Sequence, residues 1–338
     1  MTPSKCLTRP FALALCLLTA LLGSGMSQAK TFRVAVGDGA GGTQQELGLK
    51  FVEELKARTH GKYDAKLFLN GQLGSEEDTV SNAAMGTLDF SILAINNVTP
   101  FSPSVGVLTL PYMIQSLDDA VTLTQSDIGQ TLVDNTVRDA GVRIIGWAYS
   151  GFRVLTNSKR PVTTVKDLAG LQIRVPKNEI MIDTYRSWGI NPTPMAWSET
   201  FTGLQLKVVD GQDNPYITVS AMKFDEVQKY VTNLRYLFSI EPLIVSESMF
   251  QEQSPEVQEA ILAAGKAATQ HSAEWLVTQE ATIKQALTAK GMVISDPANG
   301  EKEWIDRAVS QVWPKYYEQL GGKDKLNNVL KALGRDAI

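Results

Sequence analysis

Cysteine and histidine are nearly absent from this chain, with two of each in 338 residues. Most zinc sites, thiolate nucleophiles and Cys/His relays are therefore short of parts. His60 follows a helical segment beside Gly61, and His271 lies on a polar helix face, so both read as solvated surface residues. No Ser stands in the G-x-S-x-G elbow of a hydrolase. A surplus of basic charge is lacking too: 32 Lys plus Arg face 36 Asp plus Glu, a net of −4. That balance offers the nucleic-acid backbone no electrostatic footprint.

Long apolar runs are also missing after the start of the chain, so nothing there reaches the roughly 20 apolar residues of a membrane-crossing helix. The start itself is different. Residues 1–29 carry Lys5 and Arg9, no acid, an apolar run from Phe11 to Leu22, and small or polar residues ending at Ala29. Basic start, short apolar run and small-x-small exit read as a secretory signal peptide cleaved before Lys30. A lipid anchor at Cys16 is the competing reading, weakened by Leu15 where a small residue would be expected. Cys6 and Cys16 both fall in this segment, so the mature chain of 309 residues is cysteine-free and makes no disulfide. The expected location is the periplasm.

What remains is 43% hydrophobic over the whole sequence and long enough for roughly two domains. Strand and helix signals alternate. Thr31–Val36 reads as a strand, followed by a glycine-rich turn from Gly37 to Thr43 and an amphipathic segment from Glu46 to Arg58. Further strands are expected at Ala65–Leu69, Phe90–Leu93, Val142–Trp147, Leu171–Val175 and Lys207–Asp210. Helices are expected at Glu76–Met85, Leu117–Ala140, Ile180–Trp188, Ser198–Leu206, Pro215–Phe224, Pro255–Lys290 and Lys302–Leu320. The pattern indicates an α/β fold with a largely parallel sheet in each of two lobes joined by crossover strands. The reach from Pro255 to Lys290 is either one lobe-bridging helix or two broken near Gly265. Gly37, Gly39 and Gly42 match G-x-G-x-x-G numerically, but no acid ends a strand about 20 residues on, and a tight turn is the better reading. Glu76, Glu77 and Asp78 suit a helix first turn as well as a metal. No metal and no cofactor is expected.

One charge stands out in the middle of the chain. Arg174 lies within the strand-like Leu171–Val175, where an unpaired guanidinium is costly, so it must meet either an internal acid or an anionic ligand. Its fork of N–H donors suits a carboxylate or sulfonate.

Six segments carry a resemblance, in order: Gln72-Leu73-Gly74, Gly86–Phe90, Leu110-Pro111-Tyr112, Gly170–Pro176, Pro192–Glu199 and Val209–Pro215. Together they resemble the solute-receptor subunit of TRAP (tripartite ATP-independent periplasmic) transporters, from about Phe32 to Glu280. The resemblance implies a two-lobed periplasmic binding protein with a ligand cleft between the lobes. Such a receptor delivers an organic anion to the small and large membrane permease subunits for ion-gradient-driven import, and it is not an enzyme. The implied division is residues 30–150 plus 239–279 for the first lobe and 151–238 plus 280–338 for the second, hinged near Ser150 and Ser239.

The resemblance also implies site residues. Arg174 takes the place of the main carboxylate clamp and Arg153 that of a second arginine, Asn214 that of an asparagine before proline, and Trp197 that of the cleft wall. Glu76 stands near the acid that follows Gln-Leu-Gly in sialic-acid receptors. Tyr236 replaces a histidine of many relatives, with Arg235 beside it. The sialic-acid pattern has an acid and an arginine in a stretch that here reads Leu93-Ala94-Ile95-Asn96-Asn97, which argues against sialic acid, and Asn96 and Asn97 offer neutral groups for hydroxyls or serve the loop. Trp147, Tyr149, Trp197, Tyr216 and Tyr236 would narrow the cleft if they face it. The expected ligand is a hydroxylated carboxylate or short sugar acid, with a small sulfonate as runner-up. An exported lyase or hydrolase is the alternative of a different class.

Overall fold

The opening strand forms as β1 (Lys30–Val36), with Phe32 and Val34 turned into the core. The structure, a computed structural model, describes residue 2 and residues 30–338. Apart from Thr2, the expected signal segment with its possible anchor at Cys16 lies outside the described residues. After the glycine-rich turn come α1 (Thr43–Arg58), β2 (Tyr63–Phe68), α2 (Glu76–Ala84) and β3 (Phe90–Ile92). The Ser75 hydroxyl accepts from Asp78 N and the Asp78 carboxylate accepts from Ser75 N, a reciprocal cap that starts α2 at Glu76.

The stretch expected as one helix over Leu117–Ala140 is two, α3 (Leu117–Thr124) and α4 (Asp127–Ala140). Gly129 permits the sharp elbow, since a Cβ there would stand 2.2 Å from the Thr124 carbonyl oxygen. Next come β4 (Val142–Asn157), β5 (Ile173–Val175), α5 (Glu179–Ser187), β6 (Thr193–Pro194), α6 (Thr200–Gln205), β7 (Gly211–Pro215), α7 (Tyr216–Ala221) and β8 (Tyr230–Thr232). The chain ends with β9 (Phe238–Ser246), α8 (Glu247–Gln251), α9 (Pro255–Ala289), β10 (Val293–Ser295), α10 (Lys302–Tyr316) and α11 (Lys323–Ala332).

The sheet runs β2-β1-β3-β9-β4-β7-β5-β6, with β8 on β4 and β10 on β8. Pairs without β4 or β9 are parallel, as expected for βαβ units. The two central strands run antiparallel to their neighbours, because each passes from one lobe to the other in opposite directions. β4 is 16 residues long, well beyond the expected Val142–Trp147. Through Phe152 it pairs with β9, and from Arg153 onward with β7 and β8. The transition falls at Gly151, whose φ of +87° sits beside a register shift in the β4–β9 ladder.

The segment Lys207–Asp210 is not a strand: Lys207 has φ +60°, and the strand is β7, just after it. α9 is a single helix of 35 residues that packs on α1 and β4 and reaches α7 in the second lobe. Gly265 does not break it; a Cβ there would lie 2.1 Å from the Ile145 carbonyl oxygen, so the glycine lets helix and strand touch. α10 packs on α5, but α11 returns to α3. Trp313 Nε1 donates to Pro111 O (2.9 Å), and Arg335 pairs with Asp119 (2.6 Å). Residues 280–338 are therefore not packed wholly with the second lobe, because the apolar face of α11, with Leu326, Val329 and Leu330, completes the core of the first.

Candidate ligand-binding site

Local structure places each wall of the interlobe cleft. On the first lobe, the Gly37–Gly42 turn is held by Gln44, whose Oε1 accepts from Gly37 N (2.7 Å) and Asp38 N (3.1 Å). The Gln44 Nε2 then donates to Glu76 Oε1 (3.1 Å). Ala94 N donates to Glu76 Oε2 (3.1 Å), and Asn97 Nδ2 donates to the same oxygen. Gly37 leaves room for the Glu76 carboxylate, since a Cβ would stand 2.2 Å from its Oε1 and push it off these donors. Asn96 Nδ2 donates to Asn97 Oδ1 (2.9 Å), which orders the pair.

The second lobe contributes the cations. Past the Gly151 crossing, Arg153 is buried at 2% exposure, and its Nε donates to Asp213 Oδ2 at 2.7 Å. Burial works against the Arg153 charge, but the Asp213 carboxylate outweighs it and holds the guanidinium protonated. Arg174, also at 2% exposure, has no carboxylate within 4.0 Å among the described residues. Its Nε and Nη2 both donate to the single Met195 carbonyl oxygen (3.0 and 2.8 Å), and its guanidinium lies 5.6 Å from the Trp197 ring centre. Burial, with Arg153 beside it, pulls Arg174 down to about 10.

These groups meet around a narrow cavity. Arg174, Arg153, Asn214, Trp197, Glu76 and Asn96 all line it, together with Asn97 and Pro176. Asn214 donates through Nδ2 to Gln212 Oε1 (2.6 Å). Tyr236 is the departure. It is buried outside the cavity wall, edge-on to Tyr185 and Trp188, and its hydroxyl donates to Asp213 Oδ2 (2.5 Å). It thus braces the acid that braces Arg153. Trp147 and Tyr149 pack in the first-lobe core and Tyr216 in the second, so of the five aromatics only Trp197 narrows the cleft. Arg235 stacks on Phe152 (4.1 Å) outside the cavity.

Three wall residues went unnoticed in the sequence: Asp38, Gln44 and Glu241. Asp38 sits in a turn that reads as backbone punctuation, and Glu241 lies in β9, which carries no period-2 alternation. Both are buried. Burial pushes Glu241 up to about 8, opposed by the hydroxyls of Ser150 and Ser239, and pushes Glu76 up to about 7 against its hydrogen-bond donors. Asp38 is raised well above the carboxylate range by burial and then by Glu241 and Glu76. Among the described residues, no three His, Cys, Asp or Glu side chains converge to hold a metal ion.

The lobes touch across the cleft. Trp197 Nε1 donates to Gly37 O (3.1 Å), and Asn178 Nδ2 donates to Asn96 O (3.0 Å) while its Oδ1 caps α5 by accepting from Met181 N. Gly39 N lies against the Met222 sulfur at 3.2 Å. Among the described residues no helix is long and apolar enough to cross a membrane.

The model of bacterial extracellular solute-binding proteins, family 7, matches residues 39–320. A TRAP periplasmic solute-binding protein of Rhodobacter sphaeroides, solved ligand-free and open, is 36% identical, covers 90% of this chain and 99% of its own, and superposes with a TM-score of 0.73. One from Roseobacter denitrificans with bound L-galactonate is 30% identical, over 86% and 96%, with a TM-score of 0.80. One from Bordetella bronchiseptica, with density assigned to pantoate, is 29% identical, over 89% and 98%, with a TM-score of 0.84. The better superposition on ligand-bound relatives, despite lower identity, accords with the contacts that span this cleft. With most of its length matched and the two-lobed fold shared, the chain belongs to family 7 of the bacterial extracellular solute-binding proteins, the periplasmic solute receptors of TRAP transporters.

Proposed function

We propose that this protein captures a small sugar acid or similar hydroxylated carboxylate in the periplasm and passes it unchanged to TRAP permease subunits for import driven by an ion gradient. The observation that carries this reading is Arg174. Removing one guanidinium from water costs several kcal/mol, and one carbonyl oxygen is poor compensation. A ligand carboxylate in the cavity would supply the missing anion through charge-assisted hydrogen bonds. Asn96, Asn97 and Asn214 offer neutral donors and acceptors for hydroxyl groups.

The narrowness of the cavity favours a small ligand. The ligands of the two occupied relatives described above are hydroxylated carboxylates, which supports a carboxylate and lends nothing to a sulfonate. The relatives are binding proteins, so the lyase or hydrolase alternative has no support. Residues 1–29 would serve as the export signal and be removed on the way out.

Binding and closure are linked. Anion first meets Arg174 on the second lobe, and first-lobe groups such as Glu76 and Asn96 add contacts only when the cleft shuts. Ligand thereby shifts an open–closed equilibrium by its preference for the closed form. The test is mass spectrometry of the compound that co-purifies, followed by a thermal-shift screen of sugar acids. Stabilisation by one of them, and its recovery unchanged, is expected. No response to any sugar acid, or a full response in Arg174→Ala, would overturn the assignment.

A further inference from the structure

Besides the arginines, the cavity wall holds two carboxyl groups with unfilled hydrogen-bonding capacity. Asp38 Oδ2 and Glu241 Oε2 are buried and have no hydrogen-bond partner. Asp38 comes from the β1–α1 turn and packs over Gly42, where a Cβ would lie 2.9 Å from its Oδ2, so the glycine leaves the room the carboxyl group occupies. Glu241 comes from β9, paired with Ala148 of β4, so its backbone is locked by the crossing strands. Glu76 differs from both, since Gln44, Ala94 and Asn97 already donate to its two oxygens.

We infer that Asp38 and Glu241 help select the ligand: they accept hydrogen bonds from its hydroxyl groups while Arg174 holds its carboxylate, and so favour monocarboxylate sugar acids over dicarboxylates of equal length. This rests on the sugar-acid reading above. A buried acceptor without a donor is costly, and a ligand hydroxyl supplies that donor. A second ligand carboxylate in the same place would set acceptor against acceptor beside Glu76 as well, tolerable only with a proton between them. The pair therefore discriminates by rejection as much as by attraction.

The experiment is calorimetry of the mature protein with L-galactonate and D-erythronate, against galactarate and tartrate of matching length, at about pH 8.5, above the values to which Glu76 and Glu241 are pushed. Wild type should bind at least one monocarboxylate, and about 100-fold or more tighter than its dicarboxylate counterpart. Glu241→Gln and Asp38→Asn should each weaken the monocarboxylate by about 10-fold or more while narrowing the gap to the dicarboxylate. Equal affinity of wild type for both classes would sink the inference without any variant, and so would an unchanged ratio in two folded variants. Tighter binding of an amino acid of the same length would give the acids a cation to hold and would also overturn it. If no sugar acid of either class binds, the ligand class itself fails and the inference falls with it. Binding that depends on Arg174 but shows no class preference removes only the inference.

Discussion

Arg153 and Arg174 both line one buried cavity, yet of the two only Arg153 is paired with a carboxylate of the protein, Asp213 at 2.7 Å. Two equal charges in one place thus have opposite duties. Arg153 belongs to a network that also takes in the Tyr236 hydroxyl, whereas Arg174 lines the cavity with one carbonyl oxygen and the Trp197 ring beside it.

Substitution should separate them. Arg174→Ala is expected to weaken sugar-acid binding by at least about 100-fold, the loss of a charge-assisted fork, with little change in the melting temperature of the empty protein. Arg153→Ala should lower that melting temperature, since it strands Asp213 in the interior at a cost of about 3–5 kcal/mol. Calorimetry and thermal melts on both variants check the contrast. Equal destabilisation by the two would mean that Arg174 is structural.

The acids of the cleft should make the empty protein less stable as pH rises. Glu76 and Glu241 are pushed up to about 7 and about 8, and Asp38 in the same direction, so the fold holds protons that the unfolded chain has released. Their contribution is whole below the ordinary carboxylate range and is lost as pH climbs through 7 to 8, with Arg153 and Arg174 moderating the repulsion. Melting temperature should decline between about pH 5 and pH 8.5. In Glu241→Gln the decline should be shallower, by roughly 2–4 °C per kcal/mol recovered. A flat profile in wild type would refute this.

Trp197→Phe keeps the ring and removes the N–H that reaches Gly37 O across the cleft. One hydrogen bond of about 1 kcal/mol then no longer favours closure. Ligand release should quicken several-fold with association nearly unchanged, measurable by stopped-flow fluorescence. A slower association rate instead would place Trp197 in ligand entry.

Gly265→Ala is expected to destabilise, although alanine is the better helix former by about 1 kcal/mol. The new methyl would press on the Ile145 carbonyl oxygen at 2.1 Å and force α9 off β4, at about 1–3 kcal/mol. A denaturant melt gives the sign. Stabilisation would show that helix and strand have room to move apart.

Much of this was legible in the sequence and some was not, for reasons that differ by element. β1, α2 and α9 show in composition and capping because their signals are local: an apolar run, a Ser75–Asp78 box, a long apolar stripe. The break between α3 and α4 is a matter of two residues that helix propensity tolerates. The outer half of β4 and the whole of β9 are not legible, because buried crossover strands lack alternation and carry polar residues such as Ser150, Arg153 and Glu241. Arg174 could be picked out as a charge in an apolar run. Asp38 and Glu241 could not, since nothing local sets one turn acid or one strand acid apart from the others.

The sequence by itself determined the α/β alternation, the near absence of Cys and His, and the kinship carried by six ordered motifs. Which guanidinium is paired, where Tyr236 points and which acids line the cavity were decided by tertiary structure. Those properties arise from groups far apart in the chain, Arg153 with Asp213 and Asp38 with Glu241, brought together only when two strands cross between the lobes. Local propensity dictates a strand; only packing dictates which charge it leaves without a partner.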